Sequence, residues 1–340
     1  SDWQFGLSTE VARAITNVSA SGYDVFAMPG TAAPATCVNN VYVSGNSGTT
    51  ATTTAFSQWT PPMSPTSGST TTLFSDNLRI DAIAASPKWP SYIFALDYDG
   101  SGGLKVYTGS SPATQVSGIG TATFTDATGR TFGSATAFAF APNGDLFAIS
   151  SGGRVRYLTS AQVDSFMGGS SVTWNIGPRL MKGTAAMIPS DLAFDGDGNA
   201  WVLGGDALWL TTSAALKGAA NTDISITSKM STSQTTVRSL AFVGDKMYMT
   251  AGSTAATQAL YEVNWKSATP TYAALTGVGF SVTNTSDFAT CSFPKSTSSG
   301  GPAFKVQKSV LNPDGSIAPA GTTGAPSITP NADGTFQVKY

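Results

Sequence analysis

Histidine is absent from the 340 residues. Because His is the commonest general base near neutral pH and a frequent metal ligand, its absence excludes Ser-His-Asp and Cys-His catalysis and His-ligated zinc or copper. Charge is scarce as well: 11% of residues are charged, 18 Lys and Arg stand against 20 Asp and Glu, and the net charge is −2. That balance excludes nucleic-acid binding through a basic face. It also sets the chain apart from disordered proteins, which combine low hydrophobicity with high net charge. No apolar run reaches the roughly 18 residues that a membrane-crossing helix needs. The opening Ser1-Asp2-Trp3-Gln4 has no starter Met and no basic-plus-apolar export signal. It reads as a mature N-terminus, or an edge from which such a signal has been removed.

Cysteine is limited to Cys37 and Cys291. In a cytosolic protein two lone thiols read as small buried apolar residues, whereas in an exported one they pair. A bridge between them would close a loop of roughly 250 residues, for which chain entropy gives an upper figure of roughly 5 kcal/mol. What fills the chain instead is Ser, Thr, Ala and 36 Gly, with 41% hydrophobic residues. This is enough for a core of one large domain or two moderate ones. The low-charge, Thr/Ser/Asn-rich texture is common among exported bacterial proteins, so the expected location is secreted or cell-surface, extracellular.

A repeat runs through the middle. Asp81-Ala82-Ile83-Ala84, Ala137-Phe138-Ala139-Phe140, Asp191-Leu192-Ala193-Phe194, Ser239-Leu240-Ala241-Phe242 and Asp287-Phe288-Ala289-Thr290 recur at intervals of roughly 50 residues. After a turn, the first four are followed by Tyr92–Ala95, Leu146–Ile149, Ala200–Leu203 and Met247–Thr250, each with an aromatic. The intervening turns carry strong breakers, Pro142-Asn143-Gly144-Asp145, Asp195-Gly196-Asp197-Gly198 and Gly244-Asp245. Third strands are expected at Leu104–Tyr107, Val155–Leu158, Leu208–Leu210 and Leu260–Val263. Weaker fourth strands are expected at Thr121–Phe124, Ser171–Trp174 and Ser225–Thr227. Four short strands per unit, with no helical periodicity between them, predict an all-β fold, a β-propeller. A β-sandwich also has many short strands, but it gives no reason for one four-strand order to recur.

The fifth unit stops after its first strand, at Cys291-Ser292-Phe293-Pro294. Its missing strands are available at the other end of the chain, at Val41–Ser44, Thr52–Phe56 and Thr72–Phe74. A closing blade built from both termini removes the edges that an open array would leave, and it would bring Cys37 near Cys291. Five blades are favoured, six if Tyr23–Ala27 belongs to another. The expected organisation is an N-terminal segment of unclear role over residues 1–36, in which Glu10–Ile15 suits a short helix. A propeller follows over 37–295, then a linker over 296–302 and a short β extension over 303–340.

In that extension, Ala303–Val310 alternates like a strand, Asn312-Pro313-Asp314-Gly315 and Asn331-Ala332-Asp333-Gly334 are turns, and Phe336-Gln337-Val338-Lys339-Tyr340 closes it. Two strands do not make a stable domain, so the segment reads as an incomplete module that continues beyond Tyr340. Phe304–Val310, the Pro/Gly-rich middle and the closing strand resemble the opening of the conserved immunoglobulin-like repeat of bacterial surface proteins. Ser286-Asp287-Phe288-Ala289-Thr290-Cys291 resembles the segment that ends the head in such proteins. The resemblance implies a surface-displayed head in front of a stalk, an adhesin-type protein. It also implies that Lys308 could serve an isopeptide bond whose partner lies beyond Tyr340.

Several residues are candidates for binding. Asp195-Gly196-Asp197-Gly198-Asn199 and Asp97-Tyr98-Asp99-Gly100 resemble the first half of a calcium loop, without the acidic residue near position 12. The plainer alternative is that they form hairpin turns. Asp81, Asp191 and Asp287 take equivalent places in innermost strands, where carboxylates could converge on the axis and hold a cation. Alternatively, each accepts backbone N–H bonds where its strand begins. No cofactor is required, and calcium is the ion such carboxylates suit. Trp59 and Trp89 sit in loops, where aromatics stack on sugars, anchor a protein partner or cap a core edge. Trp201 and Trp209 are expected between blades. Asn17-Val18-Ser19 and Asn284-Thr285-Ser286 fit the N-glycosylation pattern, which carries no weight in a bacterial protein.

The expected function is a non-enzymatic binding head, an adhesin recognising a glycan or a protein on another surface. One alternative is a propeller-type glycan-active enzyme, which needs paired carboxylates in the channel. Another is a structural subunit of a surface layer or filament.

Overall fold

The computed structural model describes residues 24–27, 41–46, 54–60, 69–76, 80–97, 103–108, 114–124, 132, 135–205, 207–234, 236–254, 257–275, 285–296, 327–330 and 335–339. The chain divides into two units, residues 33–296 and a smaller one that joins 1–32 to 297–340.

Residues 33–296 form a β-propeller. Blade 1 comprises Ile80–Ala85, Tyr92–Asp97 and Leu104–Thr108. Blade 2 comprises Ala135–Phe140, Leu146–Ser150, Arg154–Leu158 and Asn175–Lys182. Blade 3 comprises Pro189–Phe194, Asn199–Gly204, Ala207–Thr212 and Thr227–Ser231. Blade 4 comprises Thr236–Val243, Lys246–Gly252, Ala259–Val263 and Tyr272–Ala274. Blade 5 draws on both termini: Thr285–Ala289 pairs with Val41–Asn46, which is followed by Thr54–Thr60 and Ser69–Asp76. Within each blade successive strands run antiparallel. The five innermost strands stand side by side in blade order, and Thr285–Ala289 returns to Ile80–Ala85.

The repeat explains how five strands converge. Ala84, Ala139, Ala193, Ala241 and Ala289 share one register position, flanked on both sides by larger residues in blades 2 to 4. Successive side chains of a strand point to opposite faces. Each blade therefore sets its small residues against its neighbour's large ones. Ala82 and Ala84 pack with Phe138 and Phe140, Ala137 and Ala139 with Leu192 and Phe194, Ala193 with Leu240 and Phe242, and Ala241 with Phe288. Burying a Phe or Leu in such a seam contributes roughly 2 kcal/mol relative to leaving it exposed. The turns between first and second strands use Gly144, Gly198 and Gly244 at φ +87°, +80° and +58°, a region that only glycine enters without strain.

Three expectations change. Val172–Thr173 and Ala122–Thr123 are not fourth strands; they pair with each other as a parallel two-stranded ribbon. The fourth strand of blade 2 is Asn175–Lys182, whose outer edge takes Asp223–Ser225 in parallel, leaving Thr227–Ser231 to blade 3. Two helices also interrupt the β pattern, α1 (Ser160–Met167) and α2 (Ser213–Leu216). In α1, Thr159 caps the first turn and Gln162 returns the bond to complete a capping box, while Val163 and Phe166 bury its inner face.

In the smaller unit, Asp24–Ala27 pairs with Thr335–Lys339, which also pairs with Ser327–Pro330. Asp24–Ala27 thus joins a three-stranded sheet and no sixth blade. The expected helix at Glu10–Ile15, the strand at Ala303–Val310 with Lys308, and the turn at Asn312–Gly315 lie outside the described residues. Among the described residues, no helix is long and apolar enough to cross a membrane.

Candidate functional site at the propeller axis

Each innermost strand begins with a β-bulge. Against the second strand of its blade, one residue is skipped: Asp81, Thr136, Ser190, Arg238 and Ser286 in blades 1 to 5. The residues directly after the bulge are Ala82, Ala137, Asp191, Ser239 and Asp287, and all five are buried. Asp191 and Asp287 therefore share a register position. Asp81 falls one residue earlier, on the bulge itself, and its side chain lies outside the described residues. The extra residue accounts for the offset, since a bulge is invisible to alignment by residue count.

Asp191 and Asp287 follow one rule. Asp191 accepts the Leu240 amide of blade 4, and its other oxygen accepts the Leu192 amide of its own strand at 2.6 Å. Asp287 accepts the Ile83 amide of blade 1 at 2.6 Å. Leu240 and Ile83 occupy the same register position. Each carboxyl thus bridges its own innermost strand to the next one around the ring, where no ladder joins the two. The acids also act on each other. Burial, then the charge of Asp287, raises Asp191 well above the usual carboxylate range. Burial pushes Asp287 up to about 8. The pair therefore retains a proton through neutral pH, the outcome expected of two buried acids in contact.

Below this level the axis is filled by side chains. A narrow cavity lined by Phe138, Leu192, Leu240 and Phe288 of the inner strands, and by Phe293, leaves space on the scale of one water molecule. Phe293 belongs to the segment leaving blade 5, which crosses the turns of blades 4 and 3. The Ser292 hydroxyl donates to the Gly244 carbonyl at 2.9 Å, and the Gly196 amide donates to the Pro294 carbonyl at 2.7 Å. In the sequence this segment marks only the end of a unit, with no sign of a cover over the axis.

The first calcium-like segment is part of that clamp. Asp195 is fully buried, and its oxygens accept four N–H groups at 2.9–3.0 Å: the amides of Asp197 and Asn199, the Asn199 side chain and the Trp201 indole. Asp197 accepts both the amide and the hydroxyl of Ser296, which hold its carboxyl below the usual range. A cation at this turn would have to displace those donors. The second segment falls at the end of Tyr92–Asp97, and its remaining residues lie outside the described ones. Among the described residues, no three His, Cys, Asp or Glu side chains cluster as metal ligands do.

Asp145, at the matching turn of blade 2, was not singled out by the sequence. Its burial raises its pKa, but the Lys217 ammonium at 2.6 Å, the Ser160 amide and the Asn143 side chain outweigh this and lower it. Trp59 lies within Thr54–Thr60 and not in a loop; its side chain lies outside the described residues. Trp89 does lie in a loop, but it packs on the core of blades 1 and 2, with its ring 6.4 Å from Tyr92. Trp201 meets Trp265 edge to face at the blade 3–4 seam, and Trp209 packs in the blade 2–3 seam. Cys291 is buried at the end of blade 5's inner strand, and Cys37 lies outside the described residues. No described cysteine is a free thiol.

No protein-family pattern matches this chain, and no curated protein does. Among solved structures it is similar to a protein of unknown function from Bacteroides thetaiotaomicron, at 14% identity and a TM-score of 0.45 over 74% of this chain. The match spans 64% of that protein's length. It is also similar to the periplasmic gluconolactonase PpgL of Pseudomonas aeruginosa, at 12% identity and a TM-score of 0.38, over 87% of this chain and 73% of that one. A luciferin-regenerating enzyme matches at 12% identity and a TM-score of 0.37, over 81% and 92%.

Proposed function

We propose that the chain is the non-enzymatic binding head of an adhesin-type bacterial surface protein, which contacts a glycan or a protein on another surface. The observation that carries this reading is the filled axis. Asp191 and Asp287 are consumed in holding blades together, and Phe293 lines the narrow space along the axis. A glycan-active propeller would need such carboxylates exposed to substrate, about 5 to 10 Å apart with room between them. Contact then falls to the outer surface. Among its described residues, Ile188 is the one large hydrophobic that is exposed. A surface with so few apolar anchors suits a polar, glycan-like partner better than an apolar one.

The same reading includes display outside the cell, a Cys37–Cys291 bridge that clasps the closing blade, and a stalk continuing from the smaller unit. It is tested by incubating the purified chain with complex glycans and following products by mass spectrometry. No released product is expected. Release that is lost in Asp191→Asn would replace the reading with the enzymatic one. Regular sheets or filaments of the chain under the electron microscope would favour a structural subunit instead.

A further inference from the structure

The face that blade 4 turns toward blade 5 is apolar where it meets Phe288, yet it carries a line of polar side chains. Ser239, on the innermost strand, stands directly opposite Thr250 on the second strand. Thr250 stands opposite Leu260 on the third. Gln258 precedes Leu260 by two residues, so strand alternation puts it on the same face. The three therefore run outward from the axis, beginning at the register position that Asp287 holds in the adjoining blade. All four residues are at least 95% buried. The Ser239 and Thr250 hydroxyls and both polar atoms of the Gln258 amide meet no hydrogen-bond partner in the protein, whereas the Asp287 carboxyl turns to Ile83 of blade 1 and to Asp191.

Four such atoms in one seam, left dry, are more than a marginally stable fold readily carries. We propose that the seam is a binding site for internal water, a short file running from Ser239 along Thr250 to Gln258. The donor set selects water over a cation. Both oxygens of Asp191 accept amides, and the Asp287 carboxyl is engaged by Ile83, Phe288 and Asp191, so no carboxyl oxygen is left to offer an ion in the seam. The Gln258 side chain also presents an N–H group that repels a cation and that water accepts. Hydroxyls that both donate and accept, spaced along one face, give each water the two to four partners it needs. The file ends at Gln258, beside Thr257.

A high-resolution crystal structure of the full chain is the direct test. Ordered water within hydrogen-bond distance of the Ser239 and Thr250 hydroxyls is expected. Side chains that satisfy one another without water would overturn the proposal, and so would an anomalous peak in the seam after a rubidium chloride soak. Thr250→Val, which keeps the shape and removes the hydroxyl, provides a second readout. Its melting temperature should fall by several degrees, because the water loses a partner and the remaining groups stay buried. An unchanged or higher melting temperature would mean that the seam is dry.

Discussion

Asp287 carries its proton where most aspartates have lost theirs, and this has a consequence for stability. With a folded pKa of about 8 and an unfolded value of about 3.9, the folded chain binds more protons than the unfolded one between these limits. Stability is then greatest below the lower limit, declines as pH rises toward 8 and levels off above it. The raised value of Asp191 acts in the same direction. Asp287→Asn keeps an oxygen for the Ile83 amide and removes both the titration and the charge beside Asp191. Urea unfolding at pH 5 and pH 8.5 should show a clear loss at the higher pH for the natural chain and a much smaller one for the variant. Equal pH dependence in both would contradict the pairing.

The candidate acids were legible in the sequence as a class, because Asp recurred at the head of an apolar strand motif. Their grouping was not. The bulge shifts Asp81 by one position, and nothing in residue spacing reports a skipped residue. Asp195 resembled a calcium ligand, with the turn residue as the plainer reading. Four N–H donors decide for the turn, and one of them, the Trp201 indole, comes from beyond the Asp195–Asn199 motif.

Among the elements, inner and second strands were plain in the sequence, because the large–Ala–large core of the motif and the Gly turns repeat with little change. The outermost strands were not. They lie far from the axis, where packing constrains them least, and helices α1 and α2 displace them along the chain. The capping box Thr159-Ser160-Ala161-Gln162, with Val163 and Phe166 behind it, was the available signal for α1. The loops between second and third strands offer a test of how tightly the backbone is packed within a blade. At Gly153, φ is +74°, and a Cβ would stand 2.7 Å from the Leu180 carbonyl and 2.9 Å from that of Met187. At Gly205, φ is +63° with open space around it. Gly205→Ala should cost about 1 kcal/mol, for the backbone conformation alone. Gly153→Ala should cost about 3 kcal/mol or more, since the neighbouring backbone must also move. Urea midpoints for the two variants give the comparison, and equal losses would mean that the contact with Leu180 and Met187 yields easily.

Across the whole molecule, closure of the ring was readable from what the fifth unit lacked and what the N-terminal strands supplied. The segment 290–296 was not readable as a cover, because its hydrogen bonds go to turns of blades 3 and 4 that are distant in sequence. The pairing of Asp24–Ala27 with Thr335–Lys339 was also missed, since neither strand carries a mark of its partner. The proposed binding role puts recognition on the outer surface of the ring, since the acid pair and Phe293 line its axis. The most direct measurement of that claim is an array of glycans and matrix proteins probed with the purified chain, with calcium and again with chelator. Selective, saturable binding that leaves the ligand intact and survives chelation is the expected result. An array blank under both conditions, or binding accompanied by cleavage of the bound glycan, would contradict it.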